Sequence, residues 1–297
     1  MEDFKRETTA TNFDKIKRQW LVSSIAFAKT NAYNLVPVKE GFYHTNIYNY
    51  PINTALIENN IAENVIYDTD YLHTKSTVTK GLGALEYLIY NNQDSIKALV
   101  LLQEDEYRLD YMLGVTKEIL RQVNLLIAFW EENYKENFIN SKDLSCTENA
   151  RCLAFNQIIN LLDVIRVTKI GKPAGLESSE NTNINLLQAF RSKKTLHIIK
   201  SSIEEIEYVY TKSSINFSEI VDDISGSNQI SNEIANSFKE IYSTIDGLNI
   251  GLYDAISNND KKVESLYISL SKLIRFFSVD VASMLSVSVL PTDNDGD

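Results

Sequence analysis

Residues 94–138 read DSIKALVLLQEDEYRLDYMLGVTKEILRQVNLLIAFWEENYKENF, about 45 residues without a proline. Leu99, Leu102, Tyr107, Tyr111, Leu113, Leu120, Val123, Leu126, Ile127 and Trp130 recur at spacings of three to four, the period of a helix with one buried face. The run predicts one long helix, or two with a kink near Gly114. The rest of the chain agrees: 4 Pro and 10 Gly in 297 residues are too few turn residues for a β-sandwich or barrel. The fold class is therefore all-α.

Working outward, an amphipathic helix is predicted over Asn12 to Asn34, with Phe13, Ile16, Trp20 and Ala28 on its apolar side. A loop follows, broken by Pro37, Gly41 and Pro51, before a helical pattern resumes from Asn53 to Val65. Lys80 to Tyr90 is apolar enough for strand or helix, and Ala84, Leu85, Glu86 and Leu88 favour helix. The polar segment from Asn140 to Ala150 reads as a connector. Helices are then expected at Arg151 to Ile170, Leu186 to Tyr210, Asn228 to Gly251 and Asn259 to Leu290, with a loop over Glu177 to Asn185. Long helices with short connections form antiparallel bundles. Residues 1–150 are expected to make an N-terminal bundle and residues 151–297 a C-terminal one.

The net charge of −11 removes nucleic acid as a partner, because that affinity rests on clustered Lys and Arg. No stretch approaches the roughly 18 to 20 apolar residues that span a bilayer, so no transmembrane segment is expected. Met1 to Lys15 is charged and lacks the apolar core of a signal peptide, so any secretion signal is expected to have been removed. Cys146 and Cys152, the two cysteines, are close enough in sequence for a short-loop disulfide in an oxidising compartment, although spacing does not establish the bond.

Several segments together resemble the imelysin-like family of bacterial envelope proteins. They are Trp20; Asn46-Ile47-Tyr48-Asn49-Tyr50-Pro51; Lys80-Gly81-Leu82-Gly83-Ala84-Leu85-Glu86-Tyr87-Leu88; Arg108-Leu109-Asp110-Tyr111 with Trp130 and Tyr134; Lys169-Ile170-Gly171-Lys172-Pro173; and Asp280-Val281-Ala282-Ser283-Met284-Leu285 with the closing Thr292 to Asp297. The resemblance implies two packed antiparallel four-helix bundles with a cleft between them. It also implies a periplasmic or outer-membrane location, a lipid anchor on the precursor, and a role in iron or nutrient uptake with an outer-membrane partner.

The family motif is Gly-x-His-x-x-Glu, and the matching stretch is Gly81-Leu82-Gly83-Ala84-Leu85-Glu86. In the full motif His and Glu stand three residues apart on one helical face, where two ligands converge on a cation. Here Gly83 replaces the histidine. Glu86 is the remaining candidate ligand for iron or another divalent cation, and one carboxylate alone is not a transition-metal site. Lys80, Gly81, Gly83, Glu86 and Arg108 are the ligand-binding candidates. Glu86, set in an apolar segment, needs a partner if it is buried, and Lys80 or Arg108 is the expected one. Alternatively it faces a ligand. His44, His73 and His197, the three histidines, are the possible substitute ligands.

Composition supports no catalytic residue: there is no Gly-x-Ser-x-Gly elbow and no His-Glu-x-x-His. The leading reading is a ligand-binding envelope protein with a degenerate metal motif. The alternatives are a metallopeptidase-like hydrolase, expected from the peptidase-related family, and an interaction scaffold without a small-molecule site. The terminal Asp293-Asn294-Asp295-Gly296-Asp297 has oxygen ligands that suit calcium but lacks the later glutamate of an EF-hand loop.

Overall fold

The computed structural model describes residues 1–143, 145–177 and 181–294, together with the backbone but not the side chains of Asn133 and Asp143. The described residues contain helices and no strand. The main helices are α1 (Ala10–Thr30), α2 (Thr54–Ile61), α3 (Gly81–Tyr90), α4 (Ser95–Glu104), α5 (Glu106–Ala128), α6 (Ala150–Asp163), α7 (Thr195–Glu207), α8 (Phe217–Ser225), α9 (Gln229–Gly247) and α10 (Lys261–Arg275). They divide into two compact units, one of Met1–Ser24, Val36–Lys135 and Gln188–Lys194, the other of Ile25–Leu35, Glu136–Leu187 and Thr195–Asp297.

In the first unit α3 is buried almost all round, from Gly81 to Glu86 and again at Leu88 and Ile89. A helix apolar on nearly every side belongs at the centre of a core, which is why its hydrophobic pattern alone fits strand or helix and the helix-forming residues had to decide. It packs against α5, and the Trp20 indole of α1 donates to the Leu82 carbonyl at 2.9 Å. The long run from 94 to 138 does break, but at Asp105 rather than near Gly114. The Asp105 carboxylate accepts from the backbone N–H groups of Tyr107 at 3.0 Å and Arg108 at 3.2 Å, capping a new helix. Gly114 instead lies within α5, its missing side chain leaving room for the Tyr67 carbonyl.

In the second unit a mainly aliphatic core holds an aromatic cluster. Phe155 meets Phe217 at 5.4 Å and Phe277 at 6.1 Å, and Tyr210 crosses Phe277 edge to face at 4.8 Å. Helix α6 continues through a π-helical turn, Val164–Gly171. The helix expected from Leu186 begins only at Thr195, because Ala189 and Lys193 adopt left-handed backbone and turn the chain first. Helix α8 lies in a segment without an expected helix, and Asn216 caps it by accepting from the Glu219 N–H at 3.0 Å. The final helical run stops at Leu285, not Leu290, where Ser286 turns left-handed.

The chain then runs back along α6 on a polar ladder. Asn156 accepts from the Leu290 N–H at 2.7 Å and donates to the Ser288 carbonyl at 3.0 Å. Asn160 pairs twice with Asp293, and the Thr292 hydroxyl donates to Asp163 at 2.8 Å. These three rungs are four and three residues apart and so share one face of the helix. Cys146 and Cys152 are joined by a disulfide, with Cα atoms 5.1 Å apart. Parts of three expected features, Leu144 in the connector, 178–180 in the loop and 295–297 in the terminal acidic stretch, lie outside the described residues.

Candidate functional site

Gly81 starts α3 with a φ of +77°, a conformation that glycine adopts without penalty. The segment from Asn46 to Ile52 lies directly on this first turn. A Cβ on Gly81 would stand 2.7 Å from the Ile47 carbonyl. One on Gly83 would collide with the Asn49 carbonyl and stand 2.8 Å from Cγ2 of Ile52. The segment is fastened there, since Asn49 donates to the Thr77 hydroxyl at 2.9 Å and the Asn53 N–H to the Val78 carbonyl at 2.9 Å. This backbone has no space for a methyl group at position 83, still less an imidazole.

One turn further on, the Glu86 side chain is buried at 3% exposure, and its carboxylate accepts from the Ser192 backbone N–H at 2.8 Å. Burial pushes its pKa up to about 7, against the opposing pull of the Ser192 hydrogen bonds and the Arg191 charge. The Arg191 guanidinium lies 4.3 Å from the Phe190 ring and 5.5 Å from the Tyr87 ring, and its own pKa is lowered by burial. Tyr48 is also buried. Desolvation and the nearby Glu86 push its phenol well above the ordinary value, with Ser24 and Gln188 beside it opposing. Ser24 and Gln188 are the hydrogen-bond partners of that phenol.

Glu86 is therefore buried, one of the two alternatives the sequence left open, and its partners are not Lys80 or Arg108. Lys80 donates to the Leu72 and His73 carbonyls, both at 3.1 Å, and stands 4.0 Å from Glu118. Arg108 pairs with Glu58, which also accepts from the Tyr87 hydroxyl at 2.6 Å. Both cations are thus drawn to other carboxylates, and the partners found for Glu86 come from a turn more than a hundred residues later in the chain.

Sequence reasoning missed Glu118 altogether. Fully buried, it accepts from Arg121 at 2.7 and 2.8 Å and from Gln122 at 2.8 Å. His73 Nδ1 lies 2.6 Å from the same guanidinium. The legible signal was the placement of Glu118, Arg121 and Gln122 at i, i+3 and i+4 on α5. His197 is exposed on α7, and His44 lies in the short helix Tyr43–Ile47.

A divalent metal requires several lone-pair donors converging on one point. Glu86 is met instead by an N–H donor and a neighbouring guanidinium, and the histidine position is filled by the Asn49 carbonyl. This donor set does not fit a metal ion. No group of three or more His, Cys, Asp or Glu that could hold one occurs among the described residues. No helix among the described residues is long and apolar enough to cross a membrane.

Comparison with known proteins agrees with the fold. The crystal structure of an imelysin-like protein from Psychrobacter arcticum matches with a TM-score of 0.76 at 19% identity, covering 95% of this chain and 84% of that one. A putative iron-regulated protein A precursor from Parabacteroides distasonis matches with a TM-score of 0.73 at 11% identity, covering 95% and 86%. No curated protein matches. The family model described as Imelysin matches residues 1–275, and the chain belongs to the imelysin family.

Proposed function

We propose that this imelysin is a ligand-binding protein of the bacterial cell envelope that serves iron or nutrient uptake, and that it recognises its ligand by hydrogen bonding rather than through a bound metal ion. The observation that carries this reading is the buried carboxylate of Glu86 beside the altered motif, met by an N–H donor and a guanidinium rather than by metal ligands. Tyr48, whose phenol is hydrogen-bonded by Ser24 and Gln188, lies close enough to feel the Glu86 charge, so these groups form one polar network inside an apolar core, as buried polar groups require. Glu86, with a pKa near neutrality, serves as acceptor when ionised and as donor when protonated.

Iron regulation is in the name of the Parabacteroides distasonis protein, and the word precursor there supports export to the envelope. An outer-membrane uptake partner and a lipid anchor on the precursor belong to the same reading. The test is elemental analysis of purified protein, followed by calorimetric titration of iron and of zinc into wild type and Glu86→Ala. The expected result is no stoichiometric metal in either. Stoichiometric binding to wild type that is lost in Glu86→Ala would overturn the metal-independent reading.

A further inference from the structure

We propose a second binding site, for an amphipathic anion with an apolar body, in the groove that α1, α3 and α5 form beneath the short helix Glu2–Arg6. The groove encloses about 320 Å³. Its walls are Phe4, Ile16, Trp20, Leu82, Leu85 and Ile89, each no more than 9% exposed. Ile16 and Trp20 are one turn apart on α1, and Leu82, Leu85 and Ile89 follow the i, i+3, i+7 stripe of α3. These stripes would close on one another in an ordinary core, because interiors are packed to crystal density with few voids. Here they stay apart. The Trp20 indole is pinned by its bond to the Leu82 carbonyl at 2.9 Å and by its edge-to-face contact with Tyr90 at 5.6 Å, so the ring cannot swing in to fill the space.

The chemistry of the occupant follows from the wall and the rim. The buried lining consists of hydrocarbon and aromatic side chains, so a polar body would lose its hydration without replacement. The rim carries Lys15, whose ammonium reaches Asn12 Oδ1 at 3.0 Å, and Asp3, whose charge is matched by Arg6. The net charge at the mouth is therefore positive and suits one carboxylate. The volume is roughly twice the ~150 Å³ that takes up a benzene ring, enough for a chain of about ten carbons. The roof, Glu2–Arg6, is anchored by the buried Phe4, stacked on Phe13 at 5.7 Å, with the exposed ion pairs of Lys5 with Asp110 and Glu2 with Lys117 at its edge.

The test is calorimetric titration of decanoate, decanol and decyltrimethylammonium into the full chain and into Lys15→Glu, Leu85→Trp and Ser23→Trp. Leu85→Trp fills the groove, while Ser23→Trp plugs its mouth from a half-exposed position and leaves the core intact. Decanoate is expected to bind one to one and more tightly than decanol, with the cationic chain weakest. Lys15→Glu should weaken decanoate by about fivefold and leave decanol within about twofold. Ser23→Trp should abolish binding with the melting temperature unchanged. Failure of decanoate to bind, or binding that survives Ser23→Trp in a folded protein, would overturn the site. Equal binding of the three chains, or a Lys15→Glu variant that holds decanoate as tightly as wild type, would overturn the anionic head.

Discussion

The Glu86 carboxylate accepts a hydrogen bond from the backbone N–H of Ser192, 106 residues later in the chain, at 2.8 Å. That bond ties the turn of residues 188–194 to the central helix of the first unit and leaves an acid of near-neutral pKa inside the core.

Its consequence is a pH dependence of stability. Unfolded, Glu86 titrates near 4.5; folded, near 7. The folded state holds the proton more tightly, so this contribution is fully present below the unfolded pKa and is lost as pH rises through about 7. Relative to Glu86→Gln, which cannot ionise, wild type should lose on the order of 3 kcal/mol between about pH 4 and about pH 8. Urea unfolding of both proteins across that range measures it, and a constant difference would refute the assignment.

Gly83→His recreates the family motif in sequence but not in space. The imidazole must displace the Asn49 carbonyl and Ile52, so the variant should be destabilised by about 2–4 kcal/mol and should gain no stoichiometric zinc or iron. Gly83→Ala should show most of the same loss, since the clash begins at Cβ. A stable Gly83→His protein that takes up metal would mean that the segment from Asn46 to Ile52 yields.

Glu118→Ala strands Arg121 and the wholly buried Lys80 without their shared carboxylate. Breaking such a pair from one side costs about 3 kcal/mol. Burial raises the Glu118 pKa, but the hydrogen bonds from Arg121 and Gln122 and the charges of Arg121 and Lys80 outweigh it, and the net pKa lies below the ordinary value. Its contribution is therefore present above the unfolded pKa and fades as pH falls through the folded one, the reverse of Glu86. Acid unfolding of wild type against Glu118→Gln separates the two groups.

Asn160→Ala removes both rungs that hold Asp293 to α6, with an expected loss of about 1–2 kcal/mol. The sharper readout is local. Amide exchange in residues 286–294 should accelerate well before the helix to which they are tied, because those rungs are the ladder's middle support.

Much of this protein was legible in its sequence because much of it is local. Periodicity in 94–138, the scarcity of proline and glycine, and the apolar run of α3 depend on contacts three or four residues apart, which the order of side chains alone determines. The same holds for the altered motif, in which Gly83 removes the imidazole whatever the fold. Capping was also local, yet the carboxylate of Asp105 ended one helix and began another where the hydrophobic stripe ran on without interruption.

What only the tertiary structure decided are the pairings across long stretches of chain. Nothing near Glu86 in sequence announces Ser192, nothing near Gly83 announces that Asn49 fills the space beside it, and Lys80 and Arg108, plausible partners by charge, are taken by Glu118 and Glu58. A buried charge is stabilised by whichever partner the packing brings within about 4 Å, and that is settled by how helices dock rather than by the spacing of residues along them.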